Sequence, residues 1–187
     1  MRLGVYGGSF NPPHVAHVLL AAYALSTGGF DRVLVVPVFA HAFDKGLASF
    51  EHRVRMCELA FALLPGAEIC RIESELPTPS RTLFTLEALA QRYPGAELRL
   101  LVGADVLPEA HKWHAFEAVV RLAPLFVVGR AGLAAPGVSG FALPPVSSTR
   151  IRALLAAAEP SAEAELAELV PAAVLDYLRA EQLYAGG

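Results

Sequence analysis

Residues 4–25 read GVYGGSFNPPHVAHVLLAAYAL, and this stretch decides the fold. Residues 3–6 form a short apolar run expected to be a buried strand, Gly7 and Gly8 permit a sharp turn, and Asn11 offers a side-chain oxygen to cap a helix. Pro12 and Pro13 fit the first turn of that helix, where an N–H would be unpaired anyway. A strand, a glycine turn and a helix start bring free N–H groups and the positive end of a helix dipole to one place, which makes an anion site. His14 and His17 are three apart, so on a helix they share the face directed at that place. Two imidazole donors there suit a phosphate chain. The same spacing can chelate zinc, but no third ligand lies nearby in the chain. One histidine alone at a helix start reads as a surface or core group.

Outward from this stretch, composition narrows the class. The chain has 187 residues, enough for one α/β domain with a small helical appendage, expected to span residues 1–187 as a unit. Apolar residues make up 55% and charged ones 18%, which suits a parallel sheet covered on both faces. A net charge of −3 argues against a general nucleic-acid binder, so a polyanionic ligand must be held by a few local basic residues. Cys57 and Cys70 are not spaced to chelate and read as buried small hydrophobes, with no disulfide framework. No apolar run reaches the roughly 18 residues of a membrane span, and no signal-peptide pattern opens the chain. The expectation is a cytoplasmic protein with no membrane partner; homo-oligomerisation is left open.

Further along, RVLVVP (residues 32–37) is a second buried strand, and strand–helix–strand makes a right-handed βαβ unit. The loop VFAHAFDKGLAS (38–49) leaves the carboxyl end of that strand, where ligands bind in open α/β sheets. Ser49 caps a helix in which Val54, Cys57, Phe61 and Leu64 recur at helical spacing. Residues 68–71 are a weak third strand, and a proline-rich loop then gives way near Ser80 to a helix with Leu83, Leu86 and Leu89 inward. ELRLLVGAD supplies a fourth strand, with Gly103 and Asp105 at its carboxyl end, the usual place for a group that holds a ribose hydroxyl or a metal-bound phosphate. Short helices carrying Trp113, a fifth strand LFVVGR ending on Arg130, a glycine-rich connector (131–140) and a short sixth strand in FALPPV follow. Residues 147–187 are read as a helical C-terminal part, with Leu166, Leu169, Val174, Tyr177, Leu178 and Leu183 packing on the body. The fold class is therefore α/β, a Rossmann-like doubly wound parallel sheet of five to six strands with a small C-terminal helical subdomain.

The segment VSSTRIR repeats the logic of the N-terminal site. Ser147, Ser148 and Thr149 offer a hydroxyl cap and free N–H groups, and Arg152 adds a forked cation one turn later. Taken alone it is also simply a capped helix with a surface arginine.

GGSFNPPHVAH resembles the HxGH signature of the nucleotidyltransferase superfamily, with Ala16 where glycine is usual, and VSSTRIR resembles its second signature, ISSTxIR. With LLVGAD, the tryptophan after it, VVGRAG and the tail VPAAVLDYLRAEQLY, nearly the whole chain is similar to the nicotinate mononucleotide adenylyltransferase family. His14, in place of the threonine of phosphopantetheine adenylyltransferases, favours this branch. The resemblance implies an enzyme transferring adenylyl from ATP, with Mg²⁺, to nicotinate or nicotinamide mononucleotide in NAD biosynthesis. It implies His14, His17 and Arg152 as catalytic groups, and Gly8, Ser9, Phe10, Gly103, Arg130, Ser147, Ser148 and Thr149 as ATP-binding. The acceptor set would be Lys45, Arg81, Thr82, Thr85, Asp105 and Trp113, with no protein metal site. Arg150 stands at the variable position, so the phosphate role falls to Arg152.

Asp105 also reads as a helix cap, Trp113 as core and Arg130 as a solvated strand end. Two segments depart from the family pattern. The usual PPHK loop is spread out, with AFD between His41 and Lys45, and Arg81 replaces the aromatic of the usual SYT loop. An arginine there would favour an anionic acceptor. A phosphopantetheine adenylyltransferase, a cytidylyltransferase for a phospho-alcohol and a non-catalytic nucleotide-binding domain are the competing readings.

Overall fold

The structure is a computed structural model that describes residues 1–40, 46–131, 141–157 and 159–185. Lys45, His41 and residues 132–140 of the glycine-rich connector therefore lie outside the described residues. Six parallel strands, β1 (Arg2–Gly8), β2 (Arg32–Pro37), β3 (Ala67–Ile69), β4 (Glu97–Gly103), β5 (Leu125–Arg130) and β6 (Ala142–Leu143), form one sheet in the order β3-β2-β1-β4-β5-β6. The order reverses between β1 and β4, which opens a crevice at the carboxyl ends of those strands. β6 is only two residues long, because Pro144 and Pro145 have no N–H with which to continue the ladder.

Eight α-helices occur among the described residues: α1 (Val15–Thr27), α2 (Phe50–Phe61), α3 (Thr82–Arg92), α4 (Leu107–Ala110), α5 (Phe116–Leu122), α6 (Ser148–Ala157), α7 (Pro160–Leu169) and α8 (Ala172–Ala180). The continuous apolar runs of the strands divide by the two-residue period. Val33 and Val35 face α1, α2, α6 and α8 through Leu20, Phe61, Ile151 and Val174. Leu34 and Val36 face α3 and α5 through Leu86, Leu89 and Val119. Leu64 and Leu83 are only partly buried, at the margins of these two cores. Helices α6 to α8 pack in the same cluster as α1 and α2, so the C-terminal part of the chain closes one face of the sheet. Among the described residues, no helix is long and apolar enough to cross a membrane.

Two readings of the opening stretch change. Gly7 and Gly8 do not turn; they continue β1, paired with Val36 and Pro37 of β2, and the reversal falls on Phe10, at φ +46°. A left-handed phenylalanine is strained, and its ring is buried in edge contacts with Tyr6, His17 and Phe61 that hold it there. Asn11 does not cap α1. Its Oδ1 accepts from the Ala48 N–H at 3.0 Å, and its Nδ2 donates to the Gly46 carbonyl at 3.2 Å. The amide is thus spent on the loop after β2, and α1 begins at Val15, beyond both prolines, with His14 as its N-cap.

The largest fully buried side chain belongs to Arg53 on α2, 1% exposed. It lies on the stripe of α2 shared with Met56, Cys57 and Ala60, and its guanidinium donates to the carbonyls of Ala48 (3.0 Å), Ser9 (3.0 Å) and Phe39 (3.5 Å). One cation thereby ties the histidine loop to both ends of the loop after β2. Replacing Arg53 by Met should strip a donor from three carbonyls at once, and urea unfolding is expected to show a loss of about 3 kcal/mol or more.

Candidate active site

Two cavities flank the carboxyl end of β1. The smaller, about 170 Å³, is lined by His14, His17, Tyr6, Gly103, Asp105 and Arg130; the larger, about 380 Å³, by Gly8, Ser9, Glu73, Arg81, Thr82 and Thr85. Gly7, Leu101, Val102 and Trp113 border both, so the partition is the end of β1 and β4 with one indole above it.

The histidine cavity is built by α1. The backbone N–H of His14 donates to His17 Nδ1 at 3.1 Å, which fixes the neutral His17 ring with its proton on Nε2. The two rings stack with centroids 3.7 Å apart. His14 is 3% exposed, and its Nδ1 is buried with no hydrogen-bond partner among the described residues. Burial first, and the Arg130 charge second, push the His14 pKa down to about 4. Burial, His14 and Arg130 hold His17 well below the ordinary imidazole value. At neutral pH both are uncharged, each with one N–H to donate. Opposite them, Arg130 Nη1 pairs with Asp105 Oδ2 at 3.2 Å and its Nη2 donates to the Val146 carbonyl. A Cβ at residue 103 would fall 2.4 Å from Asp105 Oδ1, so the glycine leaves the carboxylate room to lie as it does.

The second signature arrives at the same loop. Ser147 Oγ caps α6 by accepting from the Arg150 N–H at 3.2 Å, Ser148 Oγ donates to the Pro12 carbonyl at 2.9 Å, and Arg152 Nη1 donates to the Asn11 carbonyl at 2.8 Å. Arg152 Nη2 lies 3.4 Å from Thr149 Oγ1. Segments more than 130 residues apart in sequence thus meet beside the histidines. Arg150 turns away to a two-pronged pair with Glu165.

The structure distributes the sequence-derived residues as follows. Arg81, Thr82 and Thr85 lie together at the larger cavity, at the start of α3, and Trp113 reaches it from the turn after α4. Asp105 is not with them; it lines the histidine cavity beside Arg130. Gly8 and Ser9 border the larger cavity, and the ring of Phe10 is core, so only its backbone is left for a ligand. Two lining residues escaped sequence reasoning. Glu73 is buried, accepting from Thr85 Oγ1 at 2.9 Å and from the Phe39 N–H at 3.0 Å, and His114 stands at the cavity rim. A carboxylate inside the proline-rich loop carries no periodic signal; its burial is visible only once Thr85 and Phe39 are beside it. Cys57 and Cys70 are buried, and burial raises both thiol pKa values, so neither is a ready nucleophile. Among the described residues, no group of three or more His, Cys, Asp or Glu side chains is arranged to hold a metal ion.

A parallel sheet with a switch-point crevice thus carries paired neutral histidines at a helix start and a serine–arginine helix bonded to the loop before them, and the cytidylyltransferase-like family, a nucleotidyltransferase family, matches residues 5–154. The chain is 46% identical to "Probable nicotinate-nucleotide adenylyltransferase" of Anaeromyxobacter dehalogenans (strain 2CP-C), over 99% of this chain and 97% of that one. It is 32% identical to nicotinate-nucleotide adenylyltransferase of Bacillus subtilis (strain 168), over 98% of each. The chain belongs to the nicotinate-nucleotide adenylyltransferase family. Its fold is shared with the Plasmodium falciparum nicotinic acid mononucleotide adenylyltransferase solved with NaAD, at a TM-score of 0.83 and 19% identity, covering 98% of this chain and 97% of that one.

The buried histidines make stability pH-dependent. Their folded pKa values lie below the unfolded value, so the native state binds fewer protons and stability, complete above pH 6.5, falls as the pH drops toward 4. Denaturant unfolding over that window is expected to show a loss of about 3 kcal/mol from His14 alone, and His14→Asn should flatten the slope.

Proposed function

We propose that the chain transfers the adenylyl group of MgATP to nicotinate mononucleotide, giving the dinucleotide and pyrophosphate in NAD biosynthesis. One observation supports this reading: Ser148 and Arg152 bond the two main-chain oxygens that precede the His14 helix start, so both signatures meet at one loop beside the histidine cavity, and a second, larger cavity lies across the shared border of Gly7, Leu101, Val102 and Trp113. A triphosphate in the first and a mononucleotide in the second would bring the two reacting phosphates together at Gly7. The names of its relatives supply the acceptor.

In this scheme an acceptor phosphate oxygen attacks the α-phosphorus in line, the bond from that phosphorus to the bridging oxygen of the β-phosphate breaks, and pyrophosphate carries the electron pair away. The attacking phosphate has its second pKa at about 6, so it is already an anion at neutral pH and needs no general base. Catalysis is then alignment plus donors placed where charge builds. His17 Nε2–H and the His14 ring donate to the α- and β-phosphates; Arg152, with Ser147, Ser148 and Thr149, holds the outer ones. Gly8, Ser9 and Phe10 offer backbone at the turn. Arg130 and Gly103 shape the nucleotide side, with Asp105 on a ribose. On the acceptor side Thr82, Thr85 and Arg81 frame the pyridine ring with Trp113 over it, and Lys45 reaches the phosphates. The substrate is MgATP; its magnesium ion would supply counter-charge to the leaving pyrophosphate, and no residue of the chain is assigned to hold it. The chain is read as one nucleotidyltransferase domain working in the cytoplasm.

Pyrophosphate release with MgATP or MgCTP against nicotinate mononucleotide, nicotinamide mononucleotide and phosphopantetheine tests the assignment, and turnover is expected with ATP and a pyridine mononucleotide only. In the same assay His17→Ala should lower kcat roughly a hundredfold with little change in the KM for ATP, on the scale of losing one transition-state donor. Arg81 is exposed at the cavity edge, so Arg81→Ala should reduce the preference for the acid over the amide by about fivefold; an unchanged preference would remove it from acceptor selection.

A further inference from the structure

The C-terminal tail resembles its family over VPAAVLDYLRAEQLY, yet no step of the proposed reaction uses it. It ends in two left-handed non-glycine residues, Gln182 at φ +51° and Tyr184 at φ +61°. Such backbone persists only where surrounding contacts hold it. The contact here is specific: the Tyr184 hydroxyl meets Asn11 Oδ1, inside the loop that leads to His14. The direction of that bond is settled by the neighbours. Ala48 presents an N–H to Asn11 Oδ1, and the Asn11 amide N–H groups face the Gly46 carbonyl, so the oxygen side faces Tyr184 and the phenol must donate. Burial raises the phenol pKa, which keeps that proton in place at neutral pH.

Asn11 is thereby the point where four segments join. Its main-chain oxygen takes Arg152 of α6, its side-chain oxygen takes Tyr184 and Ala48, and its amide nitrogen takes Gly46. Asn11 is 2% exposed, so water does not replace a lost donor. We infer that Tyr184 is a positioning residue of the active site: its hydroxyl fixes the Asn11 carboxamide and so the loop that aims His14 and His17. The second tail tyrosine offers an internal comparison. Tyr177 on α8 bonds His52 Nδ1 at 2.8 Å, in the first turn of α2, and among the described residues its hydroxyl makes no hydrogen bond to the histidine loop.

The inference rests on the adenylyl-transfer reading, and the test separates the two. Wild type, Tyr184→Phe and Tyr177→Phe are compared as full-length proteins by thermal melting, by steady-state kinetics with MgATP and nicotinate mononucleotide, and by the imidazole ¹H–¹⁵N NMR resonances of assigned histidines. Tyr184→Phe is expected to lower kcat by about tenfold with both KM values within about twofold, while Tyr177→Phe keeps kcat within about twofold. In the spectra, Tyr184→Phe should shift His14 and His17, and Tyr177→Phe only His52. Silent wild-type protein would end the adenylyl-transfer reading, and the His14 and His17 resonances would still decide for or against Tyr184. Equal kinetic losses in both variants, an unchanged kcat in Tyr184→Phe, or His14 and His17 resonances that do not move would overturn the inference.

Discussion

Two main-chain oxygens, those of Asn11 and Pro12, carry the structure's most consequential contacts, because on them the Ser148 hydroxyl and the Arg152 guanidinium land. Residues 12 and 13 are prolines and bring no N–H of their own, so this stretch is rich in acceptors and short of donors. Burying it without partners would be unfavourable; α6 supplies the missing donors. The donors that satisfy this proline loop therefore come from a helix that packs in the apolar core on the same face of the sheet, and with them the second signature reaches the first. Folding and site assembly rest on the same few bonds.

Charge and direction are divided between different side chains in that crevice. Burial keeps His14 and His17 neutral, so they contribute aimed hydrogen bonds, and the positive charge comes from the guanidinium groups of Arg130, in the cavity, and Arg152, on the loop beside it. Arg130 in turn lowers the proton affinity of both imidazoles. The neutral tautomer of His17 follows from one backbone N–H, that of His14, so the residue that starts the helix also orients the donor one turn further on. A polyanion entering here meets fixed donors and, among the described residues that line the cavity, one carboxylate, Asp105, which Arg130 already holds.

Much of this was legible in the chain. The buried runs at residues 32–37 and 125–130 coincide with β2 and β5, Ser49 caps α2 as its position requires, and Leu86 and Leu89 are core because the period-3.6 pattern reports burial directly. The opening stretch was read with the right elements and the wrong local geometry. Glycine pairs commonly mark turns, but strand pairing to Val36 and Pro37 kept these two extended, and long-range partners claimed Asn11 before the helix could. Arg53 left one trace, a charge on the apolar stripe of α2, whereas Glu73 and Tyr184 left none, since their partners are distant in sequence and belong to no periodic pattern.

Gly7 borders both cavities, and the position its missing Cβ would occupy is open, with nothing within 4 Å. At Gly7 the wall between the two chambers therefore carries no side chain, though Leu101, Val102 and Trp113 complete it on either side. A molecule made by joining their contents straddles that wall and is anchored at each end, and when one end lets go the other keeps it close enough to rebind. Under the proposed chemistry the finished dinucleotide would be held at both ends, where each precursor is held at one.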